Sequence, residues 1–302
     1  AVEIVHLAKI AKVYKQSDRA AGIRHVLSEL KQAGLGSLPG GGAEVFDDRI
    51  HDEAFKGKIR SDVWLDVHRV AHELGLNSNA TILYGHIEQR HDRLVHMEML
   101  RRAQDRALAR MGYVGEGIEA ARDQGNKTES SGHLGYSQDE GADVPIITLT
   151  RPGTPLPEHL AFGSQFLDPS MPRCLPTGYF QTIIPLPFFP DGSELEHLPG
   201  PSGLENLRTL AIARLMLDNF PHVKAFWIMQ TLPMAQLMLQ NGADDIDGTV
   251  VWYDITKVGG ASTHQEVTIS SLQKAIRDAG LRPIERDTLY RPVIRDGKSW
   301  RV

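Results

Sequence analysis

Apolar residues along this chain recur at two spacings, and each spacing predicts a different element. Over residues 23–30 they return every three or four positions, which is typical of one helix face, and Gly34 ends that helix. Over Ser78–Tyr84 they gather instead in a short run that lies between Gly75 and Gly85, which indicates a strand. The chain therefore alternates helices with strands.

Five segments are predicted as strands: Gly36–Leu38, Ser78–Tyr84, Tyr179–Ile184, His222–Met229 and Gly248–Trp252. Helical patterns occupy Trp64–Leu74, Leu94–Arg101, Leu204–Leu217, Met234–Leu239 and Leu272–Ala279. Repeated units of this kind predict parallel strands joined by crossover helices. The fold class is α/β, and a TIM-type (β/α)8 barrel fits the order, with a doubly wound open sheet as the alternative. The opening residues Ala1–Ile4 are interpreted as the end of a further strand.

The periodic pattern breaks in the middle of the chain. From about Gln104 to Gly178 the sequence is rich in Gly, Ser, Asp and Pro, and Val144–Leu149 is its one strand candidate. A loop of this length is uncommon inside a compact domain. We therefore expect a loop-rich or disordered surface insertion at residues 104–178, between a first barrel portion at 1–103 and the remainder at 179–302.

Composition and charge remove several classes of function. The 302 residues have a formal net charge of -5, which gives no basic field for nucleic acid. No apolar run approaches the length that spans a bilayer, so we expect a cytoplasmic protein with neither a nucleic-acid nor a membrane partner. Cys174 is the single cysteine, which rules out an internal disulfide and a metal cluster held by thiolates of this chain alone.

The loop Pro39–Glu44 holds three successive glycines between a predicted strand and a predicted helix. Glycines are kept where the backbone turns sharply or approaches a ligand closely. Since ligands bind beyond the carboxyl ends of strands in α/β proteins, the loop and its Glu44 form a candidate site. A tight turn without a ligand is the alternative.

Histidines and aspartates give three further candidates. His86 follows the strand that ends at Tyr84, where it could bind substrate or move a proton, or could simply face solvent. His68 and His72 are one helical turn apart, a spacing that could hold a metal, although their apolar neighbours favour a structural role. The acidic group of Asp244, Asp245 and Asp247 could hold a metal or form a solvated turn, and the turn is the commoner arrangement.

Seven segments together carry a family resemblance: SLPGGGAEVFD from Ser37, GKIRSDVWLDVHRVAHELG from Gly57, SNATILYGHIE from Ser78, HLPGPSGLENLRT from His197, RLMLDNFPHVKAFWIM from Arg214, GADDIDGTVV from Gly242 and ERDTLY from Glu285. In this order they resemble the menaquinone-pathway radical S-adenosylmethionine enzymes, and within that group the aminodeoxyfutalosine synthases. The resemblance implies a radical S-adenosylmethionine barrel with a [4Fe-4S] cluster on three cysteines and an external electron donor. It also implies a transferase reaction, in which a 5′-deoxyadenosyl radical adds to the small-molecule substrate 3-[(1-carboxyvinyl)oxy]benzoate with decarboxylation.

The resemblance also assigns roles to residues of this chain. Those expected along S-adenosylmethionine are Gly40, Gly41, Gly42, Glu44, Tyr84, Gly85 and Glu88. His86 is the expected catalytic residue, Asn79, Pro185 and Arg286 are expected to line the substrate cavity, and no residue is assigned to a metal.

The chain departs from this family in one respect that matters for chemistry. The cluster cysteines are absent, and the match starts at what would be the end of the third strand. We therefore expect the barrel to be incomplete at its N-terminus and the chain alone to be inactive. Three alternatives remain: an enzyme like cyclic dehypoxanthinyl futalosine synthase, a cluster-less barrel that acts as a binding protein, and a metal-dependent hydrolase on the same barrel.

Overall fold

A computed structural model describes residues 1–112, 177–249, 267–297 and 299–302, and every structural statement below concerns these residues. The first part contains α1 (Val2–Ile10), a 3-10 turn (Gln16–Asp18), α2 (Arg19–Gln32), β1 (Ser37–Leu38), α3 (Asp48–Ala54), α4 (Ser61–Glu73), β2 (Asn77–Tyr84) and α5 (Arg90–Arg110). The second part contains β3 (Phe180–Pro187), α6 (Gly203–Met216), β4 (His222–Ala225), α7 (Trp227–Gln230), α8 (Leu232–Leu239), β5 (Asp245–Ile246), α9 (Ile269–Asp278), β6 (Ile294–Asp296) and β7 (Ser299–Arg301).

Five of the strands form one parallel sheet in the order β1-β2-β3-β4-β5, which is also their order along the chain. Helices connect successive strands, as a parallel connection requires. The α/β class is therefore confirmed, and the order agrees with consecutive units of a (β/α) barrel. In the described residues the sheet has two edges, β1 and β5, so closure into an eight-stranded barrel stays a prediction.

The core lies between this sheet and the helices. Trp64 of α4 stacks on Phe180 of β3 with ring centroids 5.9 Å apart, and Phe180 stacks on Phe220 at 5.5 Å. Ala80 and Ile82 of β2 are fully buried in the same cluster. Because side chains alternate across a strand, Asn79, which precedes Ala80, faces the opposite, inner side of the sheet. No helix of the described ranges is both long enough and apolar enough to cross a bilayer.

Two local predictions are wrong. Residues 2–4 belong to helix α1, whose Ile4, Val5 and Ala8 are buried, so the chain does not open on a strand end. The predicted strand His222–Met229 ends at Ala225, and helix α7 takes up the rest of that apolar run. A short run of buried apolar residues fits either element, which is why the pattern alone did not separate them.

Prolines Pro185 and Pro187 lie inside β3, where the sequence predicts a loop. The pairing with β4 covers only Thr182 and Ile183, whereas the pairing with β2 continues to Pro187. The prolines therefore occupy a part of β3 that has a neighbour on one side only, where a missing N–H is tolerated.

Two further predictions fall partly outside the described ranges. Helix α5 continues to Arg110, beyond the boundary placed at residue 103, and residues 113–176 of the predicted insertion are not described. Most of the predicted strand Gly248–Trp252 is likewise not described, and the last parallel strand is Asp245–Ile246.

Candidate functional site

Two loops meet at the edge of the sheet where β1 and β2 end. The backbone N–H of Leu83 donates to the carbonyl oxygen of Glu44 at 3.0 Å, and the Thr81 hydroxyl donates to the carbonyl oxygen of Gly40 at 2.7 Å. The glycine loop after β1 is therefore fixed along the last residues of β2. The ends of β1 and β2 are thus neighbours.

The glycines of the first loop have different tasks. Gly40 is buried, and a Cβ atom there would lie 2.6 Å from the carbonyl oxygen of Asn79, so only glycine allows the loop to lie on β2. Gly41 is exposed, and a Cβ atom there would meet nothing within 4 Å. Gly42 has a φ of +85°, which favours glycine. The loop therefore leaves its backbone at Gly41 accessible to a ligand.

Glu44 closes the loop in a left-handed conformation with a φ of +46°. Such a conformation is uncommon for a residue with a side chain, and it is found more often at functional sites than elsewhere. The carboxylate pairs with Lys58, and the side chain is 15% exposed. Both residues line a pocket with an empty volume of about 290 Å³, together with His51 and Phe55. The sequence did not single out Lys58, because only the fold brings it to Glu44.

The second loop, residues 85–88 after β2, is held in place by hydrogen bonds to the carboxylate of Glu88. Its Oε1 atom accepts from the N–H of Gly85 at 2.6 Å, and Oε2 accepts from the N–H of His86 at 2.8 Å. Arg93 of α5 donates to Oε1 through Nε at 2.8 Å. Gly85 has a φ of +93°, and Pro201 fills the space where its Cβ atom would lie. Glu88 and Gly85 therefore build the turn, and both carboxylate oxygens are engaged within the chain.

His86 lies inside this turn and not in solvent, because its side chain has no exposed surface. Nε2 is 3.1 Å from the carbonyl oxygen of Leu83 and therefore carries a proton, since a carbonyl only accepts. Nδ1 lies 3.2 Å from Oε2 of Glu88, close enough for an ion pair with a protonated ring, but it forms no hydrogen bond with the described residues. Burial lowers the pKa of His86, while Glu88 acts in the opposite direction. The neutral ring thus keeps Nδ1 free to accept a proton.

The side chain of Tyr84 belongs to the core. Its hydroxyl donates to Oδ1 of Asn206 at 2.9 Å and lies 3.2 Å from the donor Nε2 of Gln230. Burial raises the pKa of this hydroxyl. The hydroxyl of Tyr84 therefore has its hydrogen-bond partners inside the protein, and only the backbone of Tyr84 lies at the strand tip.

The three predicted substrate residues are not all in one place. Asn79 lies on the inner face of β2, where its Oδ1 accepts weakly from Gln181 at 3.4 Å, and Pro185 lies on the neighbouring β3. Arg286 instead forms a two-pronged ion pair with Asp245, at 3.1 and 2.6 Å. Asp245 of β5 pairs with Lys224 of β4, so Arg286 lies at the opposite edge of the described sheet from the glycine loop after β1. Its segment lies nearer to Asn79, because Gln181 donates both to Asn79 and to the carbonyl oxygen of Thr288.

The acidic group after α8 is a buried charge network and not a solvated turn. Nζ of Lys224 lies 3.1 Å from Oδ1 of Asp247 and 3.6 Å from Oδ2 of Asp245. Burial raises the pKa of Asp247. At Asp245 burial acts in the same direction, but Lys224 and Arg286 outweigh it and hold the pKa below its usual range. Of the three aspartates, only Asp244 is exposed.

His68 and His72 both bond to a single hydroxyl. Nδ1 of His68 lies 2.9 Å and Nε2 of His72 lies 2.8 Å from Oγ of Ser78, and both rings are buried. Burial lowers the pKa of each ring, to about 3 for His72. These rings therefore pack α4 on β2.

Comparison with known proteins adds the decisive observation. Residues 177–296 match the family described as the CofH/MqnC C-terminal region. Over 297 residues, or 97% of its length, the chain is 36% identical to the aminodeoxyfutalosine synthase of Thermus thermophilus. It is 33% identical over 276 residues to the enzyme of the same name from Streptomyces coelicolor.

The chain belongs to the aminodeoxyfutalosine synthase family. A more distant relative is the 5-amino-6-(D-ribitylamino)uracil–L-tyrosine 4-hydroxyphenyl transferase of Methanopyrus kandleri, 26% identical over 97% of the chain. All three relatives are named as enzymes, synthases or transferases. The chain spans only part of them, namely 59% of the Thermus protein, 53% of the Streptomyces protein and 59% of the Methanopyrus protein.

The two groups that the resemblance implies fit this chain unequally. A cluster on three cysteine thiolates does not fit, since the 302 residues contain one cysteine, Cys174, which lies outside the described ranges. We therefore derive no step through a cluster. S-adenosylmethionine fits better, because the open backbone at Gly41 and the carboxylate of Glu44 suit a sugar and its paired hydroxyl donors.

Proposed function

We propose that this chain forms part of an aminodeoxyfutalosine synthase, a radical S-adenosylmethionine transferase of the futalosine route to menaquinone. When bound, S-adenosylmethionine would supply the 5′-deoxyadenosyl group that is joined to 3-[(1-carboxyvinyl)oxy]benzoate with loss of carbon dioxide. The observation that carries the proposal is the hydrogen bond from the N–H of Leu83 in β2 to the carbonyl oxygen of Glu44, which holds the glycine loop beside the turn after β2. The greater identity to synthases than to the Methanopyrus transferase supports it.

In this proposal the first loop binds the nucleoside. The carboxylate of Glu44 accepts hydrogen bonds from the ribose hydroxyls, while the ion pair with Lys58 orients that carboxylate. Gly41 and Gly42 allow the sugar to approach the main chain. Gly40 serves indirectly, because it holds the loop on β2.

In this proposal the second loop supplies a proton acceptor, His86. Nδ1 of His86 is the one ring nitrogen left free to accept, and the carboxylate of Glu88 lies 3.2 Å away to stabilise the imidazolium. Gly85 and Glu88 position this ring through the turn that they build. Burial keeps the ring neutral until the proton arrives.

We propose that the substrate lies against β2 and β3, where Asn79 offers an amide on the inner face and Pro185 a rigid backbone. Arg286, paired with Asp245, would bound this cavity on the side where Gln181 contacts both Asn79 and the carbonyl oxygen of Thr288. The cluster cysteines and the external electron donor must come from outside these 302 residues. The chain alone is therefore inactive in this proposal.

Equilibrium binding of S-adenosylmethionine to the purified chain tests the nucleoside site. We expect Glu44→Gln to weaken binding about tenfold or more, because a hydrogen bond to a charged acceptor is worth roughly 1.5–3 kcal/mol. Asp48→Asn is the matched control, since Asp48 lines the same pocket but pairs with Arg60 at 2.7 Å. Absence of binding to the wild-type chain would remove the proposal in favour of a barrel with another ligand.

A chimera tests the substrate. These 302 residues would replace the matching stretch of the Thermus thermophilus enzyme, and the products would be identified by mass spectrometry. We expect aminodeoxyfutalosine from 3-[(1-carboxyvinyl)oxy]benzoate. A cyclic dehypoxanthinyl futalosine product, or hydroxyphenyl transfer to 5-amino-6-(D-ribitylamino)uracil, would reassign the chain to one of the related reactions.

A further inference from the structure

A second pocket lies between α4 and α5, far from the two loops. Its cavity volume is about 80 Å³, which suits a small ion rather than a drug-sized molecule. Leu65, Ala103 and Phe180 contribute apolar surface. Phe180 is the first residue of β3, so this groove lies where the strands begin, whereas Glu44 and His86 lie where strands end. We call it the arginine groove, because Arg69, Arg106 and Arg110 also line it.

The carboxylates near the arginine groove are already paired. Arg69 donates to Asp66 at 3.1 Å and to Glu73 at 2.8 Å. Asp66 also accepts from Arg19 at 2.5 Å, and Glu73 pairs with Arg24. These acids therefore pair with cations of α2 and α4, and within the described ranges none of them accepts a hydrogen bond from an arginine of α5.

Arg106 and Arg110 have no such partner. Across the described ranges neither forms an ion pair or a side-chain hydrogen bond, and Nε of Arg110 is buried without an acceptor. Burial lowers the pKa of both guanidinium groups and neighbouring arginines add to this, whereas Glu73 acts in the opposite direction on Arg110 and Asp105 on Arg106. On the same face of α5, Arg102 donates to Glu98 at 2.7 Å. The exposed Arg106 and the half-buried Arg110 thus line one concave surface together with Asp66, and within the described ranges neither of them donates to a carboxylate there.

Partly buried cations are expensive to leave unpaired, so proteins normally supply an anion for them. A guanidinium group presents a fork of donors that matches the oxygens of a carboxylate or a phosphate. We propose that the arginine groove is a binding site for a small oxyanion, which Arg106 and Arg110 hold through its oxygens. The ligand would stabilise the packing of α4 on α5 and take no part in the chemistry at the other end of the strands.

The test is isothermal titration of the purified chain with inorganic phosphate and, in a separate arm, with benzoate. Sodium chloride keeps the ionic strength constant in both. We expect saturable binding of one oxyanion per chain, and the arm that binds more tightly tells a phosphate ligand from a carboxylate ligand. Arg106→Gln and Arg110→Gln should each weaken binding about tenfold, since each removes hydrogen bonds to a charged group.

Two control variants separate this site from general screening. Arg102→Gln lies on the same helix but outside the groove, so binding should stay unchanged. Arg110→Lys keeps the charge and removes the fork, and we expect it to lose affinity as well. The proposal would be overturned if folded Arg102→Gln and Arg110→Gln chains bound the oxyanion with equal affinity. It would also be overturned if the heat of titration depended on ionic strength alone.

Discussion

Neighbouring glycines of the loop after β1 differ in what surrounds them. Gly40 lies against the backbone of Asn79, whereas Gly41 faces open space. The sequence predicts that these glycines matter, because three in a row indicate a special backbone, but it cannot divide the work between them. That division depends on which glycine β2 covers, and β2 is about forty positions away along the chain.

Substitution of these two glycines should separate stability from binding. We expect Gly40→Ala to destabilise the chain by about 1–3 kcal/mol or more, because its Cβ atom would overlap rigid backbone. Gly41→Ala should change the free energy of unfolding by about 0.5 kcal/mol or less. Urea unfolding measures both, and an equal loss in the two variants would contradict the assignment of Gly40 to packing.

Charged residues show the same limit of sequence reasoning. Glu44 is recognisable from its place beside the glycines, but its partner Lys58 lies on another segment. Arg286 resembles a substrate-binding residue in the sequence, and only the fold shows that Asp245 holds it. A pairing of this kind has no local signal, since the two residues are 41 positions apart.

At the scale of elements, the long periodic helices, the long strand β2 and the short strand β1 are predictable, whereas β5 is not. Strands β1 and β5 each contain two residues, too few for an alternating pattern, and β1 is predictable because the glycine loop follows it. The turn after β2 is the element that the site depends on most. It combines one positive φ at Gly85, one carboxylate of Glu88 and one guanidinium of Arg93.

The Glu88→Gln variant tests whether the carboxylate of Glu88 stabilises the turn after β2. The amide has one accepting oxygen in place of two, so one of the backbone donors, or Arg93, loses its acceptor. We expect a loss of about 3–5 kcal/mol, which is typical when one partner of a buried ion pair is removed. Arg90→Gln is the matched control, because Arg90 pairs with Glu205 at the surface, and such pairs are worth about 1 kcal/mol or less. Urea midpoints that shift equally in both variants would show that Glu88 is not the centre of the turn.

At the scale of the molecule, the two ends of the sheet have separate chemistry. The ends of β1 and β2 carry the glycine loop and the His86 turn, which are the groups proposed for the nucleoside and the proton. The arginine groove lies at the start of β3, and the Arg286–Asp245 pair lies at the β5 edge of the sheet. Sequence reasoning reached the first end because strand tips can be read in order, and it missed the second because long-range charge pairs build it.

Buried neutral histidines should make the whole chain sensitive to acid. His96 accepts from the N–H of Phe46 at Nδ1, 3.1 Å away, and lies 3.0 Å from the carbonyl oxygen of Thr81 at Nε2, so the ring has no place for a second proton. Burial lowers the pKa of His72 and of His96 to about 3 in the folded chain. In the unfolded chain a histidine has a pKa of about 6.5. Below that pH the unfolded state binds more protons than the folded state, so stability falls as the pH drops from about 6.5 towards 3.

Each such histidine contributes a slope of up to about 1.4 kcal/mol per pH unit in that window. Urea unfolding at pH 7.5, 6.5 and 5.5 should therefore show a nearly constant free energy above pH 6.5 and a steep decline below it. His96→Gln should reduce the slope of the unfolding free energy against pH by the contribution of one histidine, even though the variant is less stable at neutral pH. A slope that His96→Gln does not alter would mean that this ring can accept a proton in the folded chain, contrary to its two backbone hydrogen bonds.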